Sequence, residues 1–142
     1  MVVAYTIGRI IMPLLFIVSG IQRALNVSDF AKTLAGYNIP IPEEVVAYLG
    51  SVPKYEALGY AIAAVEIICG LMILIGLKAR WAALVLVVFP ASTIIYIHHF
   101  WDMSGAEFAA NQTEALKYLS IIGGLLMVVA VGSGPTAMAR RG

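Results

Sequence analysis

The chain has 142 residues, of which 61% are hydrophobic and 12% charged, with a formal net charge of +1. Soluble domains run at about 45–50% apolar and 25% charged, so this composition excludes an ordinary soluble domain and points to a protein that lives in the lipid bilayer. The near-neutral balance gives no electrostatic case for nucleic acid, and a single cysteine, Cys69, rules out an intrachain disulfide.

The length fits one domain, residues 1–142. Four segments have the roughly 20 apolar residues that a helix needs to cross a hydrocarbon core. They are Val3–Leu25, Ala57–Leu77, Trp81–Phe100 and Ala115–Val131. The first is read as a mature helix and not a signal peptide, because no basic cluster precedes it, Arg9 lies inside it and no A-x-A pattern follows. A long polar connection, Asn26–Glu56, joins the first two spans. Ser28 or Asp29 caps a short helix there that puts Phe30 and Leu34 on one face, Asn38–Pro42 breaks the chain, and Glu43–Leu49 is short and amphipathic. Lys78 and Arg80 mark a tight turn that makes spans two and three antiparallel neighbours. Asp102–Glu114 links the third to the fourth. The expected fold is all-α: a transmembrane antiparallel four-helix bundle with two short amphipathic helices in the outer loop.

The basic residues set the expected orientation. The side holding both termini carries Arg9, Lys78, Arg80, Arg140 and Arg141 and no acid. The other carries Arg23, Lys32, Lys54 and Lys117 beside Asp29, Glu43, Glu44, Glu56, Asp102, Glu107 and Glu114. Both termini are therefore expected in the cytoplasm of a bacterial cell, with the spans in its inner membrane. Tyr5 and Trp81 mark the inner interface, and Tyr60, Trp101 and Tyr118 the outer one.

Glu66 stands near the middle of the second span, nine residues or roughly 13 Å from the nearer end, too far for a glutamate to reach water. A charge there costs about 3 kcal/mol or more unless it is answered. Gly59, Ala63, Glu66 and Gly70 share one helix face, and small residues allow close helix contact, so Glu66 is expected to face protein. Arg9, Phe16, Gly20 and Arg23 form a stripe on the first span, with Pro13 beside it. Ser92, Tyr96 and His99 form one on the third, which also carries Pro90, and Lys117 and Gly124 form one on the fourth. Turned inward, these stripes build a polar interior from Arg9, Arg23, Glu66, His98 or His99, and Lys117, with Arg9 as the first partner for Glu66. The competing reading lets Arg9 and Lys117 reach the interfaces. His98 and His99 are the only histidines, so bis-histidine haem within the chain is excluded, and a metal would need carboxylates to complete its shell. No phosphate-binding loop, nucleophile elbow or CxxC is present.

Certain residues together resemble a known pattern. Gly8-Arg9 opens the first span and Phe16-Ile17-Val18-Ser19-Gly20-Ile21-Gln22-Arg23 closes it. Glu66-Ile67-Ile68-Cys69-Gly70 precedes Gly76-Leu77-Lys78-Ala79-Arg80-Trp81. His98-His99-Phe100-Trp101 follows, and Asn111 and Lys117 come before Gly123-Gly124-Leu125-Leu126. In order and spacing over nearly the whole chain this resembles the DoxX family of small four-span bacterial membrane proteins. Arg23 stands where that family usually has lysine, which keeps the charge but not the amine. The resemblance implies the fold, the membrane location and the polar positions Arg9, Arg23, Glu66, His98 or His99, and Lys117. It also implies association with quinone-linked redox complexes.

Two functions follow as expectations. The first is a redox-linked membrane subunit whose polar interior binds a quinone headgroup, with Arg23, His99 or Lys117 donating hydrogen bonds and Glu66 passing protons. The sequence has no flavin, haem or cluster motif, so electrons would come from a redox partner protein, and the subunit would not be a self-sufficient enzyme. The second is a non-enzymatic carrier, pore or scaffold that holds an anionic solute between Arg9, Arg23 and Lys117. Small-residue faces such as Gly59, Ala63 and Gly70 also suit a homo-oligomer.

Overall fold

The computed structural model describes residues 2–134. Regular structure among them is helical: α1 (Val2–Leu25), α2 (Val27–Gly36), α3 (Glu43–Leu49), α4 (Lys54–Ile75), α5 (Ala79–Tyr96) and α6 (Gly105–Val131), with a 3-10 turn at Phe100–Asp102. Four stretches are long and apolar enough to cross a membrane: Val2–Leu25, Lys54–Ile75, Ala79–Asp102 and Gly105–Val131. The all-α class, the four spans and both short helices of the long connection match the sequence-based expectation. Arg140 and Arg141, used above for orientation, lie outside the described residues.

Three boundaries differ, each for a local reason. α5 ends at Tyr96 and not Phe100, because the Thr93 carbonyl accepts both the Ile97 and His98 N–H groups, at 3.0 and 3.1 Å, and closes the last turn. α6 begins at Gly105, ten residues ahead of the expected Ala115. Its first turns, AEFAANQTEA, are good helix formers but not apolar, so hydropathy does not register them. At 1.5 Å per residue its 27 residues extend about 40 Å, past a hydrocarbon layer of about 30 Å. α2 starts at Val27 with Asn26 as its N-cap position, and no side chain bonds to the cap. Asp29, one of the two expected caps, instead accepts a hydrogen bond from Lys32 Nζ at 2.9 Å.

By packing, the chain divides into two units, one from residues 1–15 with 69–142 and the other from 16–68. In the 16–68 unit the second half of α1 runs antiparallel to the first part of α4. A Cβ on Gly20 would stand 2.8 Å from Ile67 Cγ1 and 2.9 Å from the Ala63 carbonyl oxygen. Toward the other end, Gly59 meets Val27 and Phe30, where a Cβ would stand 3.0 Å from Val27 Cγ2 and 3.3 Å from Phe30 Cδ1. Glycines at these two levels let α1 and the start of α2 lie directly on α4. Across Asn26 the backbone stays almost helical: its N–H donates to Gln22 O at 3.1 Å and its carbonyl accepts from Phe30 N–H at 3.1 Å. α2 buries Ala31 and Leu34, whereas α3 buries nothing.

In the other unit, α4 ends in a Schellman turn. Leu77 N–H donates to Met72 O at 2.8 Å and Gly76 N–H to Ile73 O at 3.1 Å, with Gly76 at φ 79°. Lys78, itself left-handed at φ 45°, then starts α5 at once, which is why this turn needs so few residues. Ala79, Ala82, Ala83, Leu86 and Pro90 form the buried stripe of α5, and Leu125 and Val128 are buried on α6. At one end of the α5–α6 pair Arg80 Nη2 donates to the Ala130 carbonyl at 3.1 Å. At the other, His98 meets Asn111. The pair is therefore antiparallel.

The tight contact at Gly20 gives a direct test. Gly20→Ala must push against a backbone carbonyl, and overpacking of this kind costs about 1–3 kcal/mol. Gly8→Ala, at a site with nothing within 4 Å, should cost nothing. Thermal melts in detergent should show a lowered Tm for the first variant alone; equal behaviour would rule out the close approach.

Candidate functional site

Glu66 is held on α4 by the face already noted: Gly59, Ala63, Glu66 and Gly70 are all buried. Its side chain is 2% exposed, and it forms an ion pair and hydrogen bond with Arg23 Nη1, whose side chain is 30% exposed. The geometry follows from helix direction. Gly20 sits opposite Ala63 and Ile67, and Arg23 is nearly one turn further along α1. Side chains on a helix lean toward its N-terminus. Arg23 therefore leans back to the level of Gly20, where the Glu66 Cβ lies 3.3 Å from a Cβ built at that glycine. Among the described residues no group hydrogen-bonds the second carboxylate oxygen, Oε2.

Arg9, expected as the first partner of Glu66, does not make this pair. It is buried at 4% exposure, and its Nη1 donates to the Ile73 carbonyl at 3.0 Å. Ile73 is seven residues beyond Glu66 in α4, roughly 10 Å along a helix. The last-turn carbonyls of a helix lack intrahelical partners and carry its negative end, so a cation there is favourable. Arg9 is thus a cap for α4.

The guanidinium of Arg23 also lies over the Phe30 ring, 5.0 Å from its centroid. It borders an open groove of about 320 Å³ whose walls include Ser19, Gln22, Asn26, Asp29 and Phe30. Glu66 and Phe30 are the only described partners of the guanidinium, so its remaining N–H groups are available to the groove. The Ser19 hydroxyl donates to the Phe16 carbonyl at 3.3 Å. Phe30 was legible in the sequence only as half of an apolar pair. Its use as a surface for Arg23 depends on the α1–α2 join, which no local signal announces.

The other positions read from the sequence lie elsewhere. Lys117 does not turn inward: it is exposed on α6, with Nζ 2.6 Å from Glu114 Oε1 one turn earlier. His98 and His99 are off the helix, since α5 stops at Tyr96, so the Ser92, Tyr96 and His99 stripe does not form. Tyr96 itself is exposed. His98 Nδ1 is 2.8 Å from Asn111 Oδ1 and its ring stacks on Tyr118. His99 begins the 3-10 turn and packs edge-on to Trp101 at 6.2 Å.

Buried charge on helices whose outer faces are Ile, Leu and Val is the mark of a protein built for lipid, and this chain is an integral membrane protein with four apolar spans. It belongs to the DoxX family, whose model matches residues 4–99. It is similar to the inner membrane protein YphA of Escherichia coli (strain K12), 26% identical over 137 residues that cover 95% of this chain and 87% of that one. No solved structure matches it.

The ion pair should appear as coupling. Arg23→Gln leaves a buried carboxylate unanswered and should cost about 2 kcal/mol, below the 3–5 of fully enclosed pairs because Arg23 is partly exposed. Glu66→Gln should cost less, since the stranded cation still reaches solvent. In a double-mutant cycle the two should couple by about 1 kcal/mol or more, and Glu66 with Arg9 by less than about 0.5. Coupling of Glu66 to Arg9 in place of Arg23 would overturn the assignment.

Proposed function

We propose that this protein is a membrane subunit that binds a quinone headgroup at the Arg23 groove and serves a redox partner protein. The observation that carries the reading is the position of Arg23, tied on one side to a carboxylate removed from solvent and open on the other to a groove of about 320 Å³. A quinone presents carbonyl oxygens on an apolar ring. Arg23 offers charged N–H donors to a carbonyl, and such hydrogen bonds contribute about 1.5–3 kcal/mol. Phe30 offers an aromatic wall, and Glu66 holds the guanidinium in place as the nearest group able to exchange a proton with it. The chain has no flavin, haem or cluster motif, so electrons are supplied or taken by the partner, and the protein is a subunit of a quinone-linked oxidoreductase.

The second expectation, a carrier or scaffold with an excess of interior cations, loses its main support. Arg23 is neutralised by Glu66, Lys117 is turned to Glu114, and Arg9 donates to a helix-end carbonyl. A small anion has less to bind in this arrangement than the sequence alone suggested.

The reading places the protein in a bacterial inner membrane, as the printed name of the similar Escherichia coli protein has it, with both termini in the cytoplasm. The Lys78–Arg80 turn supports that side, being short, basic and free of acids. The Arg23 groove then opens toward the outer leaflet.

Two measurements test these statements. A short-chain quinone added to purified protein in nanodiscs should raise the melting temperature, by the equivalent of about 2.7 kcal/mol at a hundredfold excess over Kd, and Arg23→Gln should abolish the rise. No rise, an equal rise in the variant, or a response confined to small anions would displace the quinone reading. A topology reporter fused after Gly142 should be active on the cytoplasmic side; activity on the other side inverts the orientation.

A further inference from the structure

His98 lies just beyond α5, where its N–H donates to the Thr93 carbonyl at 3.1 Å and its own carbonyl accepts from Phe100 N–H at 2.8 Å. The backbone is therefore pinned on both sides. The ring is pinned too: it stacks on Tyr118 of α6 with centroids 5.5 Å apart and planes at 26°. Its Nδ1 is 2.8 Å from Asn111 Oδ1.

The direction of that last bond can be worked out. Asn111 Nδ2 donates to the Glu107 carbonyl at 3.0 Å. A carbonyl can only accept, so the amide NH2 of Asn111 must face Glu107 and its oxygen must face the imidazole. That oxygen cannot donate. Nδ1 therefore carries the hydrogen, and in the neutral ring the lone pair sits on Nε2. Among the described residues nothing hydrogen-bonds Nε2. The structure holds a histidine by four contacts and leaves its one acceptor nitrogen open.

We propose that His98 Nε2 is a hydrogen-bond-accepting ligand site that takes a hydroxyl donor, the phenolic hydroxyl of a hydroquinone. The acceptor assignment stands on the Asn111 geometry; the choice of hydroquinone rests on the quinone reading above. The site complements Arg23 in chemistry, since an arginine donates to the oxidised carbonyl whereas Nε2 accepts from the reduced hydroxyl. Protonation of the ring would turn Nε2 into a donor and end that selectivity. The groups that face His98 are Glu114 and Tyr118 on α6 and His99 in the connection. The Glu114 charge acts on the ring but is already answered by Lys117 at 2.6 Å.

The test uses full-length His99→Gln protein in nanodiscs, in which His98 is the only histidine. The His99 backbone oxygen that accepts the Asp102 N–H is kept in this variant. With 15N-labelled histidine and pH above the histidine range, Nδ1 should resonate as a protonated nitrogen and Nε2 as an unprotonated one. Adding a tail-less naphthohydroquinone under reducing conditions should shift Nε2, and the matching quinone should not. Asn111→Ala should release the ring to a mixture of tautomers. Nε2 found protonated, or an Nε2 resonance that ignores the hydroquinone, overturns the proposal. An unresponsive Nε2 alongside Arg23-dependent quinone binding sinks this inference alone. A responsive Nε2 with quinone binding indifferent to Arg23→Gln sinks the Arg23 reading alone.

Discussion

A carboxylate removed from water, inside a span that offers no water of its own, must find a cation or give up its charge. Glu66 finds Arg23, and much of the 16–68 unit is arranged to let it. The helices must approach closely enough for the pair to form, so Gly20 faces Ala63 and Ile67 with no room for a methyl group. The attraction inside a low-dielectric environment is strong, but so is the cost of desolvating both ions. That cost is reduced by leaving the guanidinium 30% exposed, so that only the carboxylate is fully withdrawn. The same partial exposure gives Arg23 its access to the groove. Stability and function thus draw on one feature.

The remaining cations in the described spans show a different logic. Arg9 donates to Ile73 near the end of α4, and Arg80 donates to Ala130 near the end of α6. Tyr5 completes the second case with a hydrogen bond from its hydroxyl to the Gly132 carbonyl. Helix C-termini leave carbonyls without intrahelical partners, and lipid cannot satisfy them. A long basic side chain does so while placing positive charge at the negative end of the helix. Counting basic residues in an apolar chain therefore overstates its capacity for anions, because some of them belong to the backbone.

Membership of the DoxX family establishes what kind of protein this is, and the chemistry has to be argued from its own side chains. Two positions stand out because their unused hydrogen-bonding capacity is defined. Arg23 has donors facing a groove, and His98 has one acceptor nitrogen whose identity is set by Asn111. Neither is a self-contained catalytic centre, which agrees with the role of a subunit acting beside a redox partner.

Hydropathy and small-residue spacing were enough to read the helical class, four spans, two short helices after the first span, and a Glu66 turned toward protein. These depend on composition and periodicity along single segments, and lipid enforces both strictly because every buried backbone group must bond within its own helix. The start of α6 escaped that reading since its first ten residues are helical without being apolar. The partner of Glu66 escaped it as well: Arg9 and Arg23 lie on the same stripe, and choosing between them requires knowing which level of α1 faces which level of α4. That register is set by the packing of Gly20 against Ala63, a contact between residues 43 apart. Lys117 and the two histidines moved for a related reason, since the end of a helix depends on which groups its last carbonyls find. Sequence determined which segments enter the membrane and which residues are costly there; only the tertiary structure decided who answers whom, because side-chain pairing is a matter of distance across helices and not along them.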